Sequence, residues 1–166
     1  MITIAIERVI NELQIDELTK QLSDMRPREY WEQCLQEIAE NKRVTVIAKI
    51  DDTIVGYGHL LMNSYYPYFA EHNIPEINDM GVVPDYRRRG IANLMMDELE
   101  NTARQRGSRV GIGVGLYRDY GNAQRIYCKR GYVLDGRGIQ YANQDVEPGS
   151  MVRVDDDLLL YLIKEL

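Results

Sequence analysis

The sequence predicts an α+β fold, a mixed, mostly antiparallel, twisted sheet of six to seven strands flanked by about four helices. Three observations carry this. Segments of strand composition and of helical spacing follow one another as strand, two helices, three strands, helix, strand, helix, two strands. Two of the strand segments, joined by Asp51-Asp52, read as a hairpin. A later strand runs through a glycine-marked turn into a helix, which implies a parallel crossover inside an otherwise antiparallel sheet. At 166 residues without repeats or linkers, the chain reads as a single domain over 1–166.

The elements follow in order. ITIAIERV has strand composition and alternation. From Ile15 to Leu22 and from Arg28 to Ile38 the apolar spacing is helical, and Pro27 suits a helix start. RVTVIAKI and TIVGYGHLLM form the hairpin, NSYYPYFAEHN is an aromatic-rich loop, and PEINDMGVV is a further strand closed by Pro84. Ile91, Leu94, Met95, Leu99 and Ala103 line one face of a helix from about Arg89 to Arg106, with Gly107 as its stop. SRVGIGVGL is a short strand. Asn122 suits the N-cap of the helix AQRIYCKR, which ends at Gly131. YVLDG and DLLLYLIKEL are the last strands, separated by a long polar loop from Arg137 to Asp156.

Composition narrows the function. Hydrophobic residues make up 45% and charged residues 28%, neither a disordered nor a membrane composition. A net charge of −6 argues against general nucleic-acid affinity, and suits either a cationic substrate or plain solubility. Cys34 and Cys128 make neither a disulfide framework nor a metal-ligand set, and His59 and His72 lack the spacing partners of a metal site, so no metal is expected. MITIAIERVI has no basic segment followed by a long apolar run, and no stretch approaches a membrane span. The expectation is a cytoplasmic chain without a membrane partner.

VVPDYRRRGIANLMM places three arginines against a glycine where a helix begins. The first N–H groups of a helix have no intrahelical partner, and with the helix dipole they form an anion site suited to phosphate. Gly90 permits close approach to the backbone, Ala92 keeps the next position small, and Arg87, Arg88 and Arg89 would add charge-assisted contacts. Cations at a helix N-terminus oppose the dipole, so the run is unfavourable without a ligand. The spacing is neither a Walker loop nor a Rossmann fingerprint, and physics alone leaves a phosphate cradle and a solvated basic turn both open.

Arg87-Arg88-Arg89-Gly90-Ile91-Ala92 resembles the [Q/R]-x-x-G-x-[G/A] signature of the GNAT superfamily of acetyl-CoA-dependent N-acetyltransferases. GNAQRIYCKRGY resembles that family's later N-x-x-x-x-x-Y-x-x-x-G-[FY] segment, and the element order matches over essentially the whole chain. The resemblance implies acetyl-CoA as co-substrate. The amides of Arg88, Arg89, Gly90, Ile91 and Ala92, with Arg87 at the motif's first position, would cradle the pyrophosphate. Val82 and Val83 would fall on the fourth strand, whose backbone pairs with the pantetheine arm, and Asn122 matches a frequent cofactor contact. The strand RVGIGVGL would splay from the fourth strand; no helix follows its G-x-G-x-G run, so its glycines read as places where chains part or a ligand approaches.

Acetyl transfer to an amine needs a neutral amine, a polarised thioester carbonyl and a proton for the departing thiolate. The implied mechanism is direct attack in a ternary complex, with a backbone N–H at Val82 or Val83 polarising the carbonyl and both cysteines left to packing. Tyr127 matches the family's general acid, and its phenol, with a pKa near ~10, suits protonation of a basic thiolate. On residue pattern alone, Ile126 and Tyr127 are core positions of a short helix. Glu76 matches the glutamate that histone-type members use as base through water. Strand alternation puts it on a face with Asn78, Met80 and Val82, and a solvated strand-start carboxylate is the other reading. Asn78 stands where other branches carry a glutamate, and Asp79 falls on the opposite face as a structural carboxylate. His59 reads as a packed or surface histidine.

On the acceptor side the resemblance points to Tyr30, Trp31, Tyr65, Tyr66, Tyr68, Phe69, Glu71 and Tyr141, aromatic faces with a carboxylate that suit a cationic amine. At least half of them read rather as packing, and Asp155-Asp156-Asp157 reads as a solvated turn. A small-molecule amine is favoured over a protein amine, and the family's habit of pairing leaves room for a homodimer. The alternative from another class is a GNAT-fold module that binds acetyl-CoA and regulates a partner without turnover.

Overall fold

The computed structural model describes residues 3–166, so Ile2 of the first strand segment lies outside the described residues. Among these residues the expected α+β class holds, a mixed, mostly antiparallel arrangement of nine strands with five α-helices. None of the helices is long and apolar enough to cross a membrane. The chain falls into two compact units. One comprises the residues up to Met62 with Ile77–Thr102, the other Asn63–Glu76 with Ala103–Leu166.

In the first unit, β1 (Ala5–Arg8), β2 (Arg43–Ile50) and β3 (Thr53–Leu61) pair antiparallel, with Ala5 opposite Lys49 and Arg43 opposite Leu61. Asp51, in the hairpin turn, takes φ 51°, which aspartate tolerates. Helix α1 (Glu12–Gln21) begins three residues before the apolar spacing does, because the Asn11 side chain caps it by accepting the Gln14 N–H at 3.1 Å. Helix α2 (Arg28–Ala39) follows Pro27. Ile15, Leu18, Trp31, Ile47 and Tyr57 form the core between these helices and the sheet. Strand β4 (Glu76–Val82) belongs to this unit from Ile77 onward, and Val83 N–H donates to Val55 C=O at 2.9 Å. Helix α4 (Ile91–Arg104) packs closely on β3: a Cβ on Gly56 would lie 3.1 Å from Met95 and 3.2 Å from Ile91. Arg8 anchors β1 to the same helix through Glu98 at 2.7 Å and Thr102 at 2.8 Å.

The first unit also encloses a polar chain. His59, fully buried, contacts Thr45 Oγ1 through Nδ1 at 2.8 Å and Tyr30 Oη through Nε2 at 2.9 Å. Tyr30 in turn donates to Asp79, which also accepts from Arg26 Nε at 3.1 Å and Nη2 at 2.6 Å. Burial above all, and then the Arg43 charge, pulls the His59 pKa from 6.5 down to about 3, so the ring is neutral.

In the second unit, β5 (Arg109–Gly115) pairs antiparallel with β9 (Leu158–Glu165), and β6 (Val133–Leu134) and β7 (Gln140–Tyr141) also pair with β9. Two elements here were not anticipated. Helix α3 (Pro67–Glu71) stands inside the aromatic segment, with Pro67 in its first turn, and is too short to show a period. The polar stretch 137–156 contains a hairpin of β7 and β8 (Gln144–Asp145), whose turn residues Ala142 and Asn143 take φ 47° and 62°. A two-residue turn with both φ positive is a tight hairpin connection, and Ala-Asn lacks the usual Asn-Gly signal. Helix α5 (Gly121–Lys129) starts at Gly121 after a 3₁₀ turn, so Asn122 lies inside it and Tyr120 holds the N-cap position. Gly131, at φ 91°, closes α5 as expected, with Tyr132 N–H returning to Tyr127 C=O at 3.1 Å.

The glycines of β5 receive aromatic rings. A Cβ on Gly111 would lie 2.1 Å from the buried Phe69 ring, on Gly113 2.9 Å from Tyr161, and on Gly115 2.3 Å from Tyr120. Phe69 also packs with Tyr66, Ile74 and Tyr161, and Tyr66 stacks on Tyr161 at 3.9 Å between centroids. Gly111→Ala is therefore expected to destabilise the chain by about 1–3 kcal/mol in urea unfolding, because the enclosed ring cannot retreat. Gly107→Ala, with no atom within 4 Å of the added carbon, should stay within about 0.5 kcal/mol. The neutral His59 sets a second expectation. The unfolded chain takes up a proton near pH 6.5 that the folded chain refuses until about 3, so stability falls as pH drops through this window. Urea unfolding between pH 6.5 and 4.5 should show a loss of up to about 1.4 kcal/mol per pH unit, and His59→Gln should flatten it.

Candidate active site

The turn before α4 has the backbone of an anion site. Arg88 takes φ 62° and Gly90 φ 80°, two left-handed residues within three positions, and the first helical bond runs from Leu94 N–H to Gly90 C=O at 3.2 Å. The amides ahead of that bond belong to the open first turn of a 14-residue helix. A Cβ on Gly90 would touch nothing, so the glycine serves the conformation and leaves the space over the turn open. Arg87, Arg88 and Arg89 are all exposed. Arg87 Nε donates to Val82 C=O at 3.1 Å, and Arg89 donates to Asp85 C=O at 3.2 Å with its guanidinium 5.2 Å from the Tyr86 ring centre. Ile91 is buried and anchors the helix start, while Ala92 is half-buried. The donor set fits a pyrophosphate: backbone N–H groups at a helix start, with three cationic side chains around them.

Strand β4 leads into this turn with its alternation broken. Asp79 takes φ 45° in mid-strand, so the face shared by Glu76, Asn78, Met80 and Val82 does not follow by counting. Val83 N–H is committed to Val55 C=O, and successive strand amides point to opposite edges, which leaves Val82 N–H as the candidate donor to a thioester carbonyl. Asp79 is indeed held by structural partners, Arg26 and Tyr30, and those bonds keep its carboxyl below the ordinary range against the opposing effect of burial.

Glu76, in the second unit, is 4% exposed and so is no solvated strand-start carboxylate. Ser64 Oγ–H donates to its Oε2, and Ser64 Oγ accepts the Tyr66 N–H at 3.0 Å. Nothing in the sequence marked Ser64, which meets Glu76 through the path of the aromatic segment. Tyr127 stands on α5 with its ring 6.2 Å from that of Tyr132, and burial pushes its phenol up to about 12. Asn122, on the same helix, is exposed. Cys128 is exposed rather than packed, whereas Cys34 is buried.

The acceptor-side aromatics divide. Trp31, Tyr66 and Phe69 are core residues, and Tyr65 is 65% exposed. Tyr30 belongs to the buried polar chain, and the Arg137 guanidinium covers the Tyr68 ring at 4.7 Å. The aspartate triple is a turn with Asp156 and Asp157 exposed, as expected, and it is also a bonded one: Tyr141 donates to Asp155 at 3.0 Å, and Tyr117 and Tyr120 both donate to Asp156. His72 Nδ1 lies 2.8 Å from Tyr68 C=O. Among the described residues no three His, Cys, Asp or Glu side chains stand together as metal ligands.

Comparisons with known proteins agree with this architecture. The profile of the Acetyltransferase (GNAT) family matches residues 7–132. A search among curated proteins returns no match. Among solved structures, a GNAT-family protein from Desulfovibrio desulfuricans is similar with a TM-score of 0.73 at 16% identity, covering 98% of this chain and 99% of the other. Ribosomal-protein-alanine N-acetyltransferase from Brucella melitensis is similar at 0.68 and 20%, with the same coverage. A GNAT family acetyltransferase from Elizabethkingia anophelis, with acetyl-CoA bound, is similar at 0.63 and 18%, covering 98% of each chain. At these identities the solved structures speak for the fold, and the profile speaks for descent: the chain belongs to the GNAT acetyltransferase family and is an acyltransferase.

Proposed function

We propose that this chain moves the acetyl group of acetyl-CoA to a primary amine by direct attack in a ternary complex, with a small-molecule amine favoured over a protein amine. The observation that carries the reading is the turn Arg87–Ala92, whose left-handed Arg88 and Gly90 open a helix start toward an anion. That turn binds the pyrophosphate, Val82 N–H polarises the thioester carbonyl, and Asn122 contributes a further cofactor contact. The amine nitrogen forms a bond to the carbonyl carbon as the carbon–sulfur bond breaks. The leaving thiolate takes the proton of the Tyr127 phenol, and the nitrogen gives up its proton to Glu76, directly or through water.

The half-buried setting of Tyr127 supports its role in one respect. A phenol raised to about 12 stays protonated through the whole neutral range and is present as a donor whenever thiolate forms.

Acetyl-CoA is expected to raise the Tm of the chain, as read by a thermal-shift titration. No shift at millimolar acetyl-CoA would sink the reading, and binding without thiol release across an amine panel would leave a binding module. Gly90→Ala, strained at φ 80°, should weaken the acetyl-CoA shift while leaving the fold intact by circular dichroism. Tyr127→Phe should lower kcat by about 10²-fold at neutral pH, and the wild-type basic limb assigned to this phenol should fall only toward pH 12. Glu76→Gln should lower kcat and remove the acid limb of the wild-type profile; an unchanged profile would assign the base to water.

A further inference from the structure

The polar chain of the first unit has a direction, and the direction ends on β4. Asp79, paired with Arg26 at 2.6 Å, is an ionised acceptor, so the single Tyr30 phenol proton is given to it. Tyr30 Oη must then accept from His59, which places the ring proton on Nε2 and leaves Nδ1 to accept the Thr45 hydroxyl. Thr45, His59 and Tyr30 therefore each donate toward Asp79, and aligned donors of this kind polarise one another. The arrangement is no proton relay, because the buried His59 stays neutral and offers no resting place for a proton.

What the chain grips is backbone. Asp79 sits at φ 45° in the middle of a strand, a conformation that persists only where its surroundings over-determine it. Two further contacts fix the segment that follows. A Cβ on Gly81 would lie 2.8 Å from the Tyr57 ring and 3.0 Å from Met25, so the backbone there is pressed against the helical side of the unit. Val83 N–H is held by Val55 C=O at 2.9 Å. Val82 is flanked by these points, and its N–H is the group assigned above to the thioester carbonyl.

We infer that Asp79 is a positioning residue for acetyl transfer: gripped by Arg26 and by the Thr45–His59–Tyr30 chain, it holds the kink in β4 that aims the Val82 amide. The inference rests on the acetyl-transfer reading above. Arg26 lies between α1 and α2, within one residue of Met25, so the grip also ties that connecting segment to the reacting strand.

Glycine separates positioning from simple stabilisation, because it adopts φ 45° without strain and carries no carboxylate. Asp79→Ala is expected to lower kcat by at least about tenfold, with hydrogen exchange accelerated at the amides of Met80 to Val83. Asp79→Gly is expected to recover most of that kcat while keeping a lowered Tm, since the ion pair and the Tyr30 bond are still missing. Tyr30→Phe, which preserves the ring and the fold, should lower kcat in the same direction by a smaller factor. The proposal is overturned if folded Asp79→Ala and Tyr30→Phe keep the wild-type kcat. It is also overturned if Asp79→Gly is as slow as Asp79→Ala, because the carboxylate itself would then be required. A wild-type chain that neither binds nor turns over acetyl-CoA overturns the inference together with the reading beneath it; a wild-type chain that turns over beside unaffected variants overturns the inference alone.

Discussion

The left-handed backbone at Asp79 is the constraint on which the reacting strand depends. A straight β4 would continue its alternation to Pro84, with every amide on each edge available for pairing with a neighbour. The kink interrupts this, and it is maintained by a carboxylate that accepts from Arg26 and from Tyr30 at once. Arg26 is 38% exposed and Asp79 24%, so the pair stands at the margin of the unit, whereas His59 at the far end of the chain is sealed in its core. A surface pair alone would contribute little. Its strength as a clamp comes from the buried hydrogen-bonded groups behind it, whose loss would leave polar atoms unsatisfied in an apolar surrounding.

The second unit solves a different problem, how to place large tyrosines and a carboxylate in a small core. Its strand β5, paired along β9, carries glycine at alternate positions, and each of the three receives a ring from Phe69, Tyr161 or Tyr120. The phenols then find acceptors: Tyr66 on Asp135 at 2.8 Å, Tyr161 on Asn143 at 2.6 Å, Tyr120 on Asp156 at 2.7 Å. The buried Tyr66 and Tyr161 and the half-buried Tyr120, with satisfied hydroxyls, hold a rigid wall. Glu76 lies within this setting, and its charge is one reason, after burial, that the Tyr161 phenol is raised.

The helix start at Gly90 shows why three arginines can stand in a row in an acidic chain. All three are exposed, and two of them satisfy backbone carbonyls on the entering segment, Arg87 at Val82 and Arg89 at Asp85. These bonds hold the turn open ahead of α4 without neutralising the charges. The helix dipole and the guanidinium groups oppose one another, an arrangement that suits an anion placed between them.

Periodicity and local chemistry were sufficient for much of this. The α1–α2 pair, the β2–β3 hairpin, the apolar face of α4 (apart from Leu94, which is exposed) and the arginine turn are all read from residues within a few positions of one another, where spacing and φ preference operate directly. The signatures at Arg87–Ala92 and Asn122–Tyr132 likewise placed the chain in its family, because a glycine-marked helix start is a local structure. Tertiary structure decided the rest. Asp79 was legible as a structural carboxylate, but its kink was not, although an Asn-Asp pair in a strand is a mild warning. The glycines of β5 were read as openings and prove to be sockets: the rings of Phe69 and Tyr161 come from positions remote in sequence, and that of Tyr120 from the turn just after the strand. The burial of Glu76 and its bond to Ser64 have the same origin. By itself, then, the sequence determined the elements and the arginine–glycine turn at the start of α4, which depend on neighbours along the chain. Only the fold decided which carboxylate is gripped, which is buried and where each ring lies, because these depend on long-range contacts that no local period records.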